Sequence, residues 1–132
     1  CRRLELIKGS PLHIANANGQ TLLASLQAGC HGYSGIMANF HPELYVWLCR
    51  NWRKEPEKAV MLSDYLTTAS LAEHLDYPIC AKDFQKRIGN FKYVTCRARD
   101  PANYYAAHFP TTMQQMVHLG EGLKRQLGIC AA

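Results

Sequence analysis

Two short clusters gather the side chains best suited to chemistry in this 132-residue sequence. The first is Asn16-Ala17-Asn18-Gly19-Gln20, and the second is Ser34-Gly35-Ile36, preceded by Tyr33. The amides of Asn16, Asn18 and Gln20 both donate and accept hydrogen bonds. Ser34 offers a hydroxyl, and Gly19 and Gly35 allow a ligand close to the backbone. A helix beginning near Gln20 would add free N–H groups that favour a carboxylate. The same residues also suit a turn-rich loop in which Asn and Gly only make the geometry.

Both clusters follow short apolar runs. After a turn at Ser10-Pro11, residues 12–17 read as a strand buried on both faces, because polar alternation is nearly absent. Residues 20–28 place Leu22, Leu23 and Leu26 at helical spacing, and Gly29 ends the segment. Residues 32–36 are again short and apolar. Strand, helix and strand within about thirty residues is the size of a βαβ unit, and such a crossover implies parallel strands. In parallel α/β folds ligands bind at the carboxyl ends of the strands, which puts the two clusters side by side.

The rest of the chain reads as helix. Residues 1–8 resemble the last turns of a helix, with basic residues at its negative end and Gly9 free to adopt a left-handed exit. A chain opening on a helix exit is expected to have lost a preceding segment, the competing reading being a short N-terminal helix. His41-Pro42-Glu43 starts a helix to about Trp52, with Leu44, Tyr45, Trp47 and Leu48 inward. Residues 56–75 form another, with Val60, Leu62, Tyr65, Leu66 and Leu71 inward. Asp76-Tyr77-Pro78 separates it from a shorter helix over residues 80–88, stopped by Gly89. Residues 91–96 are extended or irregular, and Asp100-Pro101 is a turn. Thr111 to Gln114 has capping-box spacing, opening a helix that Gly128 closes. Two parallel strands need cover on both faces and partners at both edges, so further strands are expected upstream or from another chain.

Composition excludes several classes. No window holds the roughly 18 uninterrupted apolar residues of a membrane span, and no signal-peptide pattern opens the sequence. The six cysteines (1, 30, 49, 80, 96 and 130) lack metal or redox spacing and read as reduced thiols. A net charge of +5 is scattered, and Glu and Asp interrupt its densest stretches near residues 50–58 and 82–92. That pattern fits a solvated surface, not a nucleic-acid-binding face. His13, Cys30, His31 and His41 lack ligand spacing, so no metal site is expected. His31 is expected in the loop entering the second strand, facing away from the pocket. Tyr45, Trp47, Trp52 and Met61 read as core or subunit-contact residues.

Gly29-Cys-His-Gly32-Tyr-Ser-Gly-Ile-Met-Ala-Asn39-Phe-His-Pro42 resembles the second-last and last barrel strands of the dihydrodipicolinate synthase and N-acetylneuraminate lyase family. The resemblance reaches back through Leu4 to Asn18 and forward to Tyr77-Pro78-Ile-Cys-Ala-Lys82. It weakens between Phe84 and Phe109 and returns loosely in the final helix. It covers about three quarters of the chain, carried by the order and spacing of motifs that are each only moderately specific.

The resemblance implies the C-terminal part of a (β/α)8 TIM barrel. Residues 1–54 would be its last two β/α units and residues 55–132 a C-terminal helical extension. It also implies a Schiff-base lyase or aldolase acting on pyruvate or another 2-keto acid, in a cytoplasmic homotetramer without cofactor, metal, membrane or nucleic-acid partner. The family's nucleophilic Lys and its Tyr lie on earlier strands, so neither falls within residues 1–132. None of Lys8, Lys54, Lys58, Lys82, Lys86 and Lys124 fills that role, Lys82 matching a structural position of the extension. What carries over is pocket wall. Ala17, Gly19 and Gln20 align with positions at the distal end of the substrate, with Asn16 and Asn18 beside them as further candidate contacts, and Ser34, Gly35 and Ile36 match the keto-acid end. Asn39 and Pro42 fix the turn into the next helix. Lyase members have Gly-x-Asp-Glu where this chain has Ala17-Asn18-Gly19-Gln20, so both acidic positions are amide or glycine here. The alternative is a small-molecule-binding or structural protein that keeps the barrel without the chemistry.

Overall fold

The computed structural model describes residues 2–129. The chain forms two compact units, one of residues up to Ala38 with Pro42–Thr68, the other of Asn39–His41 with the residues from Ala69 onward. Among the described residues the fold is mixed α/β and mostly helical, with one two-stranded sheet. No helix among them is long and apolar enough to cross a membrane.

In the first unit, α1 (Arg2–Leu6) exits toward Gly9, whose φ of 80° supplies the left-handed turn expected of it. β1 (Ala15–Asn16) runs parallel to β2 (Gly32–Tyr33), with Ala15 opposite Gly32 and Asn16 opposite Tyr33. Between them in sequence lies α2 (Leu22–Gln27), which ends at Gly29 with φ 102°. The strand–helix–strand order and the parallel pairing are those read from the sequence.

The strand lengths are corrected. In place of residues 12–17 and 32–36, only two residues of each run pair. Single bonds prolong the ladder, from His31 N–H to the Ile14 carbonyl (2.8 Å) and from Ser34 N–H to the Asn16 carbonyl (2.9 Å). The chain then curls into a 3-10 turn at Ile36–Asn39. Nor is the first strand buried on both faces, for Ala15 is exposed and Leu12 is 62% exposed. Among the described residues no third strand continues the ladder.

α3 (Pro42–Asn51) buries Leu44, Tyr45, Trp47 and Leu48, all four expected inward. α4 (Pro56–Ala69) buries Ala59, Leu62 and Leu66. Spacings of three and four place those residues on one face and turn Val60 about 100° away from it. Val60 and Leu71, expected inward, are accordingly 52% and 57% exposed, and Met61 is 42% exposed. The helix expected to reach residue 75 stops at Ala69, and a tighter 3-10 turn, Ser70–His74, follows it. Asp76 then takes a left-handed conformation at φ 61°.

The second unit is built from α5 (Ile79–Arg87), α6 (Pro101–Ala106) and α7 (Phe109–Gln126). Gly89 (φ 87°) and Gly128 (φ 68°) follow α5 and α7 as expected. Residues 90–99 carry no helix or strand. The expected turn at Asp100-Pro101 is instead the start of α6. The Asp100 carboxylate accepts from Ala102 N–H at 2.9 Å, and Pro101 occupies the first helical position, where its missing N–H costs nothing. α7 begins two residues before Thr111, and the Thr112 hydroxyl turns back to the His108 carbonyl (3.4 Å), so the anticipated capping box does not open this helix.

Ile79, Cys80, Phe84, Tyr104 and Met113 are fully buried in this unit. Asn39–His41 are built into it. Phe40 packs edge-on to Phe84 at 5.2 Å, and the Gln85 amide donates to the Asn39 carbonyl at 2.5 Å. His41, at φ 47° and 2% exposed, packs edge-on to Phe84 at 4.8 Å, its Nε2 lying 3.2 Å from the Met116 carbonyl. Its ring fills a notch at Gly120, where a β-carbon would stand 1.9 Å from Nε2.

Candidate functional site

The loops leaving β1 and β2 meet at the carboxyl ends of the two strands, as the parallel register requires. Asn16 organises the first loop. Its side-chain amide donates to Thr21 Oγ1 (3.0 Å) and Ser25 Oγ (2.9 Å), and its Oδ1 accepts from Asn18 N–H (2.9 Å). Asn18 Oδ1 accepts from Thr21 N–H at 3.1 Å, and the Gly19 carbonyl accepts from Leu22 N–H at 3.2 Å. Two of the N–H groups expected to face an anion at the start of α2 are therefore bonded within the loop. The side chains of Asn16 and Asn18 do the same internal work. This is the turn-making role that Asn has beside Gly.

Gly19 is buried, and a β-carbon on it would lie 3.4 Å from the Tyr45 hydroxyl and 3.9 Å from that of Tyr33. At Gly35 a β-carbon would lie 2.2 Å from the Ala17 carbonyl oxygen and 2.3 Å from the Tyr33 hydroxyl. Any larger residue at 35 would force the two loops apart. Beneath them the rings of Tyr33 and Tyr45 stack at 4.4 Å and 12°. The sequence marked Tyr45 as core. Its second task, supporting Gly19, leaves no sequence signal because the pair is joined only by the fold.

The remaining rim residues face outward. Ala17, Asn18, Gln20 and Ser34 are exposed, and Ile36 is 41% exposed at the head of the 3-10 turn. The named residues of the rim include no carboxylate, imidazole or amine, so the rim can hydrogen-bond a polar group but brings no ordinary acid–base pair to it. Below it, burial pushes the Cys49 thiol above its usual range, opposed in part by the Tyr33 backbone. Pro42 opens α3, as expected of it, whereas the Asn39 bond to the helical unit is made by its backbone carbonyl.

Other candidates fall elsewhere. His31 Nδ1 accepts from Ile14 N–H at 3.1 Å, and its ring meets His13 edge-on at 4.4 Å. Among the described residues no group of three or more His, Cys, Asp or Glu is placed to hold a metal ion. Cys30, Cys49, Cys80 and Cys96 are free thiols, and Cys1 and Cys130 lie outside the described residues. Lys58 pairs with Glu55, Lys124 with Glu121, and Lys82 donates to the Thr95 carbonyl. Lys8, Lys54 and Lys86 are exposed, whereas Lys124, 13% exposed, is held in its ion pair with Glu121.

Sequence reading missed one polar centre in the helical unit. Asp83, 3% exposed, accepts from the Tyr104 hydroxyl (2.8 Å), the Tyr105 hydroxyl (3.3 Å) and Arg87 Nε (2.8 Å). Arg87 continues to Gln114 Oε1 at 2.6 Å, which links α5, α6 and α7. Burial first, and the Asp83 carboxylate second, push the Tyr104 phenol far above its ordinary range. The centre is fully paired and its Tyr104 is inaccessible, so it ties helices together and offers no reactive group. Comparison of the chain with protein-family models, with curated proteins and with solved structures finds no match.

Proposed function

We propose that the chain is the C-terminal part of a Schiff-base lyase or aldolase resembling dihydrodipicolinate synthase, acting on pyruvate or another 2-keto acid. Residues 1–54 would complete a (β/α)8 barrel and residues 55–132 would extend it. The observation that carries this reading is the parallel pairing of Ala15–Asn16 with Gly32–Tyr33 across a short helix, which brings both polar loops to one end. The outer edge of each strand, unpaired with a further strand among the described residues, fits a sheet continued by further strands. A neutral rim fits a wall that orients a keto acid while an amine from an earlier strand reacts with it. Following the family, the protein would be a cytoplasmic homotetramer.

In that reaction the amine adds to the keto carbon and water leaves, giving an imine that stabilises the adjoining carbanion. Borohydride trapping tests it in the intact polypeptide. With pyruvate, reduction of the imine should fix a covalent adduct on a Lys that precedes this chain. An adduct on any of its own lysines would overturn the reading, and so would no adduct at all.

A second reading, a ligand-binding or structural protein retaining the barrel, is favoured by one observation. The Asn16 amide and Asn18 Oδ1, beside the positions where lyases carry acids, are occupied in holding the loop. Absence of any trapped adduct, with the fold intact, is its expected outcome.

A further inference from the structure

The helical unit contains an open recess of about 610 Å³, within the size range of small-molecule sites. The residues lining it include Glu73, His74, Asp76, Tyr77, Arg99 and Phe109. Every one of these residues belongs to the second unit.

Charge in the recess is unbalanced. Arg99 Nη1 lies 3.3 Å from Asp76 Oδ1, a pair in which the Arg side chain is 57% exposed and the Asp 13%. Asp76 Oδ2 is buried with no hydrogen-bond partner among the described residues. Glu73 makes no ion pair among those residues, so two carboxylates face one guanidinium. A buried acceptor left without a donor is costly, and a half-satisfied carboxylate favours any group that brings more N–H donors. Aromatic faces beside carboxylates are also the surroundings that an organic cation prefers.

We propose that this recess binds a small organic cation, an alkylammonium or guanidinium compound with an apolar stem. Its charged end takes the place that Arg99 holds at Asp76 and is balanced by Glu73, while the stem lies along Tyr77 and Phe109. The exposed Arg99 swings outward and acts as the ligand's internal competitor. A site for an anion would instead depend on Arg99, so the two chemistries predict opposite effects when its charge is removed.

The test is calorimetric titration of the intact polypeptide with agmatine, succinate and 1,4-butanediol as cation, anion and neutral probes. Agmatine should bind saturably and more weakly as salt is raised, with succinate and butanediol silent. Glu73→Gln should weaken agmatine about three- to fivefold, the scale of one exposed charge pair, and Arg99→Gln should tighten it. Both side chains are exposed, so both variants should keep the parent circular dichroism. Preference for succinate, weaker agmatine binding in Arg99→Gln, an unchanged affinity in Glu73→Gln, or no saturable binding up to about 10 mM would each overturn the proposal.

Discussion

Alanine at position 120 sets two opposing effects against each other, and the structure decides which wins. Gly120 lies inside α7, where alanine is ordinarily better than glycine by about 1 kcal/mol. Its β-carbon would nevertheless stand 1.9 Å from His41 Nε2 and 2.2 Å from Cδ2, distances no real contact adopts. The ring cannot withdraw easily, since it is 2% exposed and packed edge-on to Phe84. Forced overpacking costs about 1–3 kcal/mol. Displacement also breaks the contact between Nε2 and the Met116 carbonyl, a hydrogen bond worth about 1 kcal/mol. Gly120→Ala should therefore destabilise the protein by about 2 kcal/mol, the residue of these terms. In a His41→Ala background the obstruction is gone and the same change should stabilise by about 1 kcal/mol. Urea unfolding of the four proteins, followed by circular dichroism, measures this cycle. The reasoning is refuted if Gly120→Ala stabilises the parent, or if its effect keeps the same sign without the imidazole.

Two further predictions concern groups buried in the helical unit. Tyr104→Phe removes the 2.8 Å hydrogen bond to Asp83 and leaves a buried carboxylate with fewer donors, so it should cost about 1.5–3 kcal/mol in the same unfolding assay. Burial pushes the Cys80 thiol from its ordinary 9.0 up to about 11. Between those pH values the unfolded chain has lost the thiol proton that the folded chain retains, so stability should fall as pH rises from about 9 to about 11. Cys80→Ala should flatten that part of the stability–pH curve, and an unchanged slope would disprove the assignment.

The helices were legible where one signal acted locally. Pro42 with Glu43 marked the start of α3, and Gly29, Gly89 and Gly128 marked exits that need a left-handed residue. Asp100-Pro101 carried an N-cap signal as plainly, yet α6 is only six residues long and has no apolar repeat to announce it. The inward face of α4 was misjudged at Val60 because hydrophobicity does not fix helical phase, whereas the burial of Ala59, Leu62 and Leu66 does; Leu71 lies past the end of α4, in the 3-10 turn. At the rim, sequence located the two loops, and parallel pairing brought them together. It did not reveal that Asn16 would be consumed inside its own loop, or that Tyr45 would stand beneath Gly19. Asp83 was invisible for a related reason: its pair with Arg87 is local to α5, but Tyr104 and Tyr105 lie on α6 and only folding brings them to it.

The seating of Asn39–His41 among helices that follow much later bears on how the chain can reach its native state. His41 meets Met116 across 75 positions of sequence. During synthesis Phe40 and His41 emerge long before the helix that encloses them, and closing so wide a loop carries an entropic cost that local helix formation does not. The helical unit is thus discontinuous in sequence, and no single cut separates it intact. Expressed from residue 69 onward, it would lack the Phe40 ring that meets Phe84 and the imidazole that fills the Gly120 notch.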